Sequence, residues 1–285
     1  MSKVALVTDS TAYIPPELTQ ELNIHTVPLQ LIWGNETLRD GIDIQPDEFY
    51  PRLQSSKIHP TTSQPSPATY IELYQRLLDE GHEILSVHIS SKLSGTMDSA
   101  TQAKEHFPGK PIELVDSNTT SMSMGFLVLE AARAAQRGAT LAECRALVEK
   151  GREHTGVLFA VQTLEYLRRG GRIGGAQAFL GTVLNLKPLL ELRNGRIEAV
   201  ERVRTMNKAV DRLLDLFQQR VGDRRPVRIA CVYSSSPEEA RLLLERARQR
   251  FDPTSIAELL IAPVSPVIGV HVGPGCMGLA FMAGM

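Results

Sequence analysis

Short continuous apolar runs alternate along the N-terminal half with segments whose apolar residues recur at helical spacing. The first run is Val4-Ala5-Leu6-Val7, closed by the polar turn Thr8-Asp9-Ser10-Thr11. An apolar run bounded by turn formers predicts a buried strand. Val27-Pro28-Leu29-Gln30-Leu31-Ile32-Trp33 alternates imperfectly around a proline and reads as an edge strand. Tyr70, Leu73, Tyr74, Leu77 and Leu78 are spaced at three and four residues, which predicts a helix over 68–80 that Gly81 stops. A strand at 83–89, a helix at about 95–106 and the strand Ile112-Glu113-Leu114-Val115 follow. Asp116-Ser117 ends that strand, and helices are expected at about 121–137 and 140–152. Strands alternating with helices imply a parallel sheet covered on both faces, with ligands beyond the C-terminal strand ends.

The second half has a different texture. Val157-Leu158-Phe159-Ala160-Val161 reads as a strand, and Thr163 to Arg169 as a helix stopped at Gly170-Gly171. Two apolar runs flank Asn194-Gly195, whose residue types suit the positive φ angles of a type I′ hairpin turn. A helix at about 207–220, a strand at 228–233, a helix at 237–250 and strands at 256–261 and 277–282 complete the pattern. A hairpin among strand-helix units predicts a mixed sheet. The fold class is therefore α/β in two domains: an N-terminal parallel-sheet domain over 1–154 and a C-terminal mixed-sheet domain over 155–285, with the break at Glu153-His154-Thr155-Gly156. No internal repeat or low-complexity segment is visible.

Composition narrows the function classes. The chain has 285 residues, 42% hydrophobic and 22% charged, with a net charge of −1. That balance offers no basic stripe for nucleic acid. No apolar run is long enough to span a bilayer, so no stable membrane insertion is expected. A strand starting at Val4 leaves no room for a signal peptide. Cys144, Cys231 and Cys276 are far apart and odd in number, which fits neither a metal site nor a disulfide framework and predicts a cytoplasmic protein.

Hydroxyl clusters stand at three predicted strand ends: Thr8 to Thr11, Ser90 to Thr96 and Ser117 to Ser121. A helix starting near Ser94-Gly95-Thr96 would present free N–H groups, a positive dipole end and two hydroxyls to an anion. Helix capping explains the same residues equally well, although Gly95 would let backbone approach a ligand. Ser66 followed by Pro67 reads as an N-cap, whereas Thr62 and Ser63 lie too far ahead of the helix to cap it and are free to face a ligand. His88, on an apolar strand, reads as structural. His271 lies in Gly269-Val270-His271-Val272-Gly273-Pro274-Gly275, a glycine-flanked turn expected to expose it. Arg172, framed by Gly170-Gly171, is placed to meet a carboxylate, a phosphate or a partner; Arg168, Arg169 and Arg202 read as a solvated face.

The enzyme classes fare less well. Gly-x-Ser-x-Gly is absent, although Ser94, His271 and Asp116 can be imagined as a triad. There is no HExxH and no clustered metal-ligand set. Asp9-Ser10-Thr11 stands where a dinucleotide enzyme would need its glycines, and no phosphate loop with its lysine is present. No catalytic residue, metal or cofactor is expected.

Several motifs in one order carry a resemblance: Thr8-Asp9-Ser10-Thr11, Thr62-Ser63-Gln64-Pro65-Ser66, Ser90-Ser91 with Ser94-Gly95-Thr96, Val115-Asp116-Ser117, Tyr166-Leu167 with Gly170-Gly171-Arg172-Ile173, Lys187-Pro188, and His271 with Gly273-Pro274-Gly275. Across nearly the whole chain, 3–283, the sequence resembles DegV proteins. Met97-Asp98 departs from the aromatic residue and glutamine common there. The resemblance implies a DegV-like fold and a long-chain fatty acid (C14–C18, such as palmitate) held in a buried tunnel. It further implies a carrier subunit that presents the carboxylate to a separate ATP-dependent fatty acid kinase, for acyl phosphate and phospholipid synthesis. By position, Thr62, Ser94, Gly95 and His271 should hold the carboxylate, with Ser63, Thr96 and Gly273 as secondary contacts. Arg172 and Arg204 should serve kinase docking or phosphoryl transfer. Burying about 14 methylenes is worth ~11 kcal/mol gross, less several for association and chain ordering. The alternatives are a serine-dependent lipid hydrolase or acyltransferase using Ser94 and His271, and a lipid-responsive regulatory binding protein.

Overall fold

Pro28 divides what the sequence presents as one edge strand. The computed structural model describes residues 3–180, 186–234 and 236–285. In it β1 (Val4–Asp9) leads through a short helix α1 (Pro16–Glu21) to β2 (Ile24–Val27), and β3 (Gln30–Trp33) then enters a different sheet. β2 runs parallel to β1 with Ile24 opposite Leu6, whereas β3 pairs antiparallel with β4 (Glu36–Arg39) and β5 (Thr61–Ser63). Proline has no N–H for a ladder and a fixed φ, so the chain leaves the first sheet there. Thr62, read as free of a capping role, is thus held in a strand, opposite Leu31.

Beyond α2 (Pro46–Ser55), the helix read at 68–80 is α3 (Pro67–Asp79). Ser66 caps it, accepting from Thr69 N–H at 3.3 Å, with Pro67 in the first turn. β6 (Glu83–His88), α4 (Thr96–Lys104), β7 (Ile112–Asp116), α5 (Ser121–Gln136) and α6 (Leu141–Gly151) then alternate as the periodicity predicts. The parallel sheet has the order β2-β1-β6-β7. From β1 the chain goes to β2 on one side and later to β6 and β7 on the other. The crevice of a parallel sheet opens at such a reversal, here between the ends of β1 and β6.

The second large sheet comprises β8 (Thr155–Ala160), β9 (Lys187–Arg193), β10 (Arg196–Val203), β11 (Val227–Tyr233), β12 (Ile256–Pro263) and β13 (Met277–Ala283). Helices α7 (Glu165–Arg169), α8 (Met206–Val221), α9 (Pro237–Arg248) and α10 (Pro266–Val272) lie between these strands in the chain. Its order is β10-β9-β8-β13-β11-β12, with the β11–β12 pair parallel and the others antiparallel, a mixed sheet as expected. Asn194 and Gly195 have φ of 51° and 82°, as the predicted hairpin turn requires.

One expectation is overturned here. The glycine-flanked segment around His271 is not an exposing turn but α10, and His271 is only 8% exposed. Pro266 starts this helix and Gly273, at φ 73°, ends it. Gly269 marks close packing: a Cβ there would lie 2.5 Å from the Phe49 ring. The largest buried cluster draws on both sheets, with Leu85 and Val87 beside Val157, Phe159 and Val232. α5 contributes Met122, Phe126 and Leu129 to it, which explains a helix apolar on nearly every face.

Candidate functional site

A fully buried pair fixes the floor of the crevice. Asp9, the last residue of β1, accepts from Thr11 N–H at 3.1 Å and from Ile89 N–H at 2.9 Å. Its other neighbour is His88 Nδ1, at 3.2 Å, while His88 Nε2 lies 2.7 Å from Ser86 Oγ. These bonds tie the ends of β1 and β6 together just before the Ser90 to Thr96 segment leaves the sheet. His88 is wholly buried in this network, in keeping with its structural reading.

At Ile89, next to this network, begins an apolar cavity that, with the open solvent at its mouth included, holds about 860 Å3 free of protein atoms. Its wall is largely apolar and comes from both large sheets: Ile89 and Leu93 beyond β6, Val157 and Phe159 of β8, Leu192 and Ile197 of the hairpin. Among its polar lining residues are Thr62, Ser63, Gln64, Ser94, Arg172 and His271. Chain segments more than 200 residues apart meet in this set: Thr62 Oγ1 lies 2.9 Å from His271 Nε2 across |i−j| of 209.

The protonation chemistry of this set is specific. Burial, then the charge of Arg172 and the nearby His59, pushes the His271 pKa down to about 4. The imidazole is therefore neutral at neutral pH. Its Nδ1 has no hydrogen-bond partner among the described residues. Whichever tautomer is present, the Thr62–His271 pair keeps one donor unspent: the Thr62 hydroxyl if Nε2 donates, or Nδ1–H if Thr62 donates. Ser94 Oγ lies 2.8 Å from Thr96 Oγ1 and accepts from Thr96 N–H at 3.3 Å. Ser94 stands ahead of α4, whose N-cap position is Gly95, a residue with no side chain to cap it. Arg172 donates from Nε to Leu93 C=O at 3.0 Å and from Nη1 to Gly170 C=O at 2.8 Å, so backbone on both sides of the crevice fixes its guanidinium. The arrangement can receive a carboxylate through neutral donors, with one fixed cation beside it.

Of the residues singled out in the sequence, Thr62, Ser63, Ser94, Arg172 and His271 line this cavity together. Gly95 adjoins it, with space for a Cβ limited by Gln64 Nε2 at 2.9 Å. Thr96 is fully buried behind Ser94, and Gly273 packs against the Tyr166 ring; neither lines the cavity. Arg204 is exposed on the turn between β10 and α8, outside the lining. Asp116 is occupied by Ser91 N–H at 3.1 Å and Asn118 N–H at 2.8 Å, and His271 faces Thr62 rather than Ser94, so the imagined triad is not assembled. Sequence reasoning missed Gln64, Tyr13, Thr120 and Ser121 as lining residues, although Gln64 sits inside a quoted motif and Ser121 in a flagged hydroxyl cluster. Among the described residues no group of three His, Cys, Asp or Glu side chains is gathered for a metal, and no helix is long and apolar enough to cross a membrane.

With this geometry in hand, comparison with known proteins is informative. The profile of the DegV family, described as uncharacterised proteins, matches residues 3–284. A DegV domain-containing protein of Streptomyces coelicolor is 42% identical over 277 residues, 97% of either chain. Among solved structures, a DegV family protein from Thermus thermophilus, described by its fatty acid binding, superposes with a TM-score of 0.92 at 38% identity, covering 99% of this chain and 100% of that one. A stearic acid-binding protein from Eubacterium ventriosum gives a TM-score of 0.90 at 25% identity, covering 100% of this chain and 99% of that one.

Proposed function

Because this chain belongs to the DegV family, we propose that it binds a long-chain fatty acid and presents the carboxylate to a separate ATP-dependent fatty acid kinase. The observation that carries this reading is the cavity itself: a long apolar wall shared by two sheets, with uncharged donors and a neutral histidine gathered in its lining. Thr62, Ser94, the Gly95 N–H and His271 hold the carboxylate. Arg172 and the exposed Arg204 serve the kinase, by docking or by steadying the transferred phosphoryl group. The acid has about 14 to 18 carbons, the length that the family resemblance implies, and burying its methylenes at ~0.8 kcal/mol each supplies the affinity that outweighs the cost of association. A head group held by neutral donors stays reactive, whereas a tight ion pair would stabilise the carboxylate against phosphorylation. The protein is then a non-catalytic carrier of the cytoplasm, with its two units meeting at 154/155 around the ligand. Likeness to solved DegV proteins described as fatty-acid-binding supports the ligand class.

The kinase half is tested by mixing the palmitate-loaded protein with ATP and a bacterial fatty acid kinase. The expected result is acyl phosphate formation that Arg172→Ala and Arg204→Ala each reduce; no turnover with any such kinase contradicts it. A fluorophosphonate probe tests the hydrolase alternative, and Ser94 should stay unlabelled because its Oγ is paired with Thr96 and His271 Nε2 with Thr62.

A further inference from the structure

Asp40, directly after β4, is 2% exposed, and among the described residues no cation is paired with its carboxylate. Its chain neighbours Arg39 and Asp43 are paired with each other at the surface. Burying an anion without a counter-charge is costly unless several donors face it. Ser10 Oγ donates to Asp40 Oδ2 at 2.6 Å, Val267 N–H donates to Oδ1 at 3.1 Å, and the Ser265 hydroxyl lies against the same carboxylate. Ser10 is itself fixed by Leu29 N–H, which donates to its Oγ at 3.1 Å. The carboxylate therefore joins the segment after β1 to the start of α10.

Helix α10 needs such an anchor. It has seven residues, too few to hold a helix in water unaided, and its N-cap Ser265 makes no side-chain capping bond. Asp40 supplies the missing acceptor at Val267. At the other end Ser234 Oγ donates to Gly273 C=O at 2.9 Å. Between these anchors Val267, Ile268, His271 and Val272 line the cavity. Val267 and His271 are four residues apart, one helical turn on the same face. A shift of the helix at Val267 is therefore carried to the contact between His271 and Thr62.

We propose that Asp40 is a positioning residue of the lipid site: its charged carboxylate holds the first turn of α10 against the segment after β1, and so keeps His271 at Thr62 and the apolar face of α10 on the acyl chain. The inference rests on the fatty-acid reading above. Hydrogen bonds accepted by a charged carboxylate are stronger than those accepted by a neutral group, so a proton on Asp40 loosens the hold on α10. Burial lifts the Asp40 pKa to about 6, so the group is an anion at pH 7.5 and neutral at pH 5. The other groups facing it do not share this change. The Tyr13 and Tyr50 phenols are raised well above their ordinary values and stay neutral, and Asp9 acts on Asp40 only as a further negative charge. On α10 itself, His271 titrates at about 4 and is largely neutral at pH 5.

The test compares the rate of palmitate release from the full-length wild type and from Asp40→Asn, by stopped-flow displacement at pH 7.5 and pH 5. Asp40→Asn should release palmitate about tenfold faster than the wild type at pH 7.5, where only the wild type has the charge, and at the same rate at pH 5. Titration of palmitate itself affects both proteins alike. General destabilisation cannot give this pattern, because neutralising a buried carboxylate with a raised pKa favours the folded state most at high pH. Should Asp40→Asn not fold, Ser10→Ala removes a donor to the same carboxylate and should speed release more at pH 7.5 than at pH 5. Equal rates at both pH values, or the same ratio of rates at both, overturn the proposal and leave the fatty-acid reading standing. A wild type that takes up no palmitate overturns that reading instead, and the imidazole NMR signals of the ligand-free protein then decide on Asp40. His271 signals that Asp40→Asn shifts at pH 7.5 but not at pH 5 support its positioning role; signals unmoved at both overturn it.

Discussion

His271 and Asp40 are buried titratable groups whose pKa values move in opposite directions relative to their ordinary ranges. His271 sits at about 4, below the usual 6.5, so the unfolded chain binds more protons between those values. Its contribution to stability is full above pH 6.5 and is lost as pH falls towards 4, by up to ~3 kcal/mol. Burial lifts Asp40 to about 6, against hydrogen bonds from Ser10 Oγ and Val267 N–H that lower it. Its folded form binds the extra proton, so its contribution is present below pH 3.8 and lost as pH rises through 6. In urea unfolding from pH 4 to 7.5, His271→Asn should gain on the wild type as pH falls, and Asp40→Asn should gain as pH rises. Profiles parallel to the wild type would contradict both assignments. If Ser94 holds the head group as proposed, Ser94→Ala removes that donor but leaves the α4 backbone in place, so fatty-acid retention should fall about fivefold with little change in unfolding temperature, in keeping with ~1 kcal/mol for one hydrogen bond. Unchanged retention in a dialysis assay with labelled palmitate would remove Ser94 from the carboxylate set. At this scale the sequence was generous with polar types and poor with their surroundings: Thr62, Ser94 and Arg172 stood out, but the burial that chiefly makes His271 neutral, and the charges of Arg172 and His59 that add to it, come from parts of the chain far away.

Elements were legible where periodicity was long and undisturbed. α3, α8 and both strands of the hairpin follow their apolar spacing, and the Asn194-Gly195 turn follows from residue types alone. β5 and α10 were not legible, and they carry Thr62 and His271. β5 is a three-residue strand of hydroxyl residues whose only signal is its partner β3. α10 contains a glycine that close packing against Phe49 demands, and in sequence that glycine imitates a loop. Glycines at the site therefore make sharp probes. A Cβ on Gly170 would lie 2.0 Å from His271 Nδ1, whereas one on Gly95 would meet the flexible end of Gln64 at 2.9 Å. Gly170→Ala must displace the imidazole and break its contact with Thr62, so palmitate retention should drop about tenfold, a loss of ~1.4 kcal/mol. Gly95→Ala should cost less, because the Gln64 side chain can swing aside. Equal effects of the two substitutions would show that the His271 position does not govern binding.

Across the whole molecule, the cavity exists only because two sheets close on it. The hairpin tip reaches the segment after β6: Ser90 Oγ donates to Gly195 C=O at 2.8 Å and Lys92 Nζ to Asn194 C=O at 2.7 Å. Leu192 and Ile197, on either side of that turn, line the cavity. Gly195→Ala would drive a Cβ to within 2.4 Å of Ser90 Oγ on a backbone at φ 82°. It should loosen this latch and speed palmitate release in a stopped-flow displacement experiment; an unchanged off-rate would place the exit path elsewhere. None of this was readable from composition, because residues lining an apolar cavity and residues filling a core are the same types. What the ordered motifs did supply was the family, which the profile match and the close superposition on solved relatives bear out. The most direct test of the central claim is native mass spectrometry of the protein as purified, with the released ligand identified. The account predicts one bound fatty acid of about 14 to 18 carbons, whose buried methylenes outweigh the cost of association. A protein that emerges empty and takes up no fatty acid when offered, or that carries only a nucleotide, would contradict it.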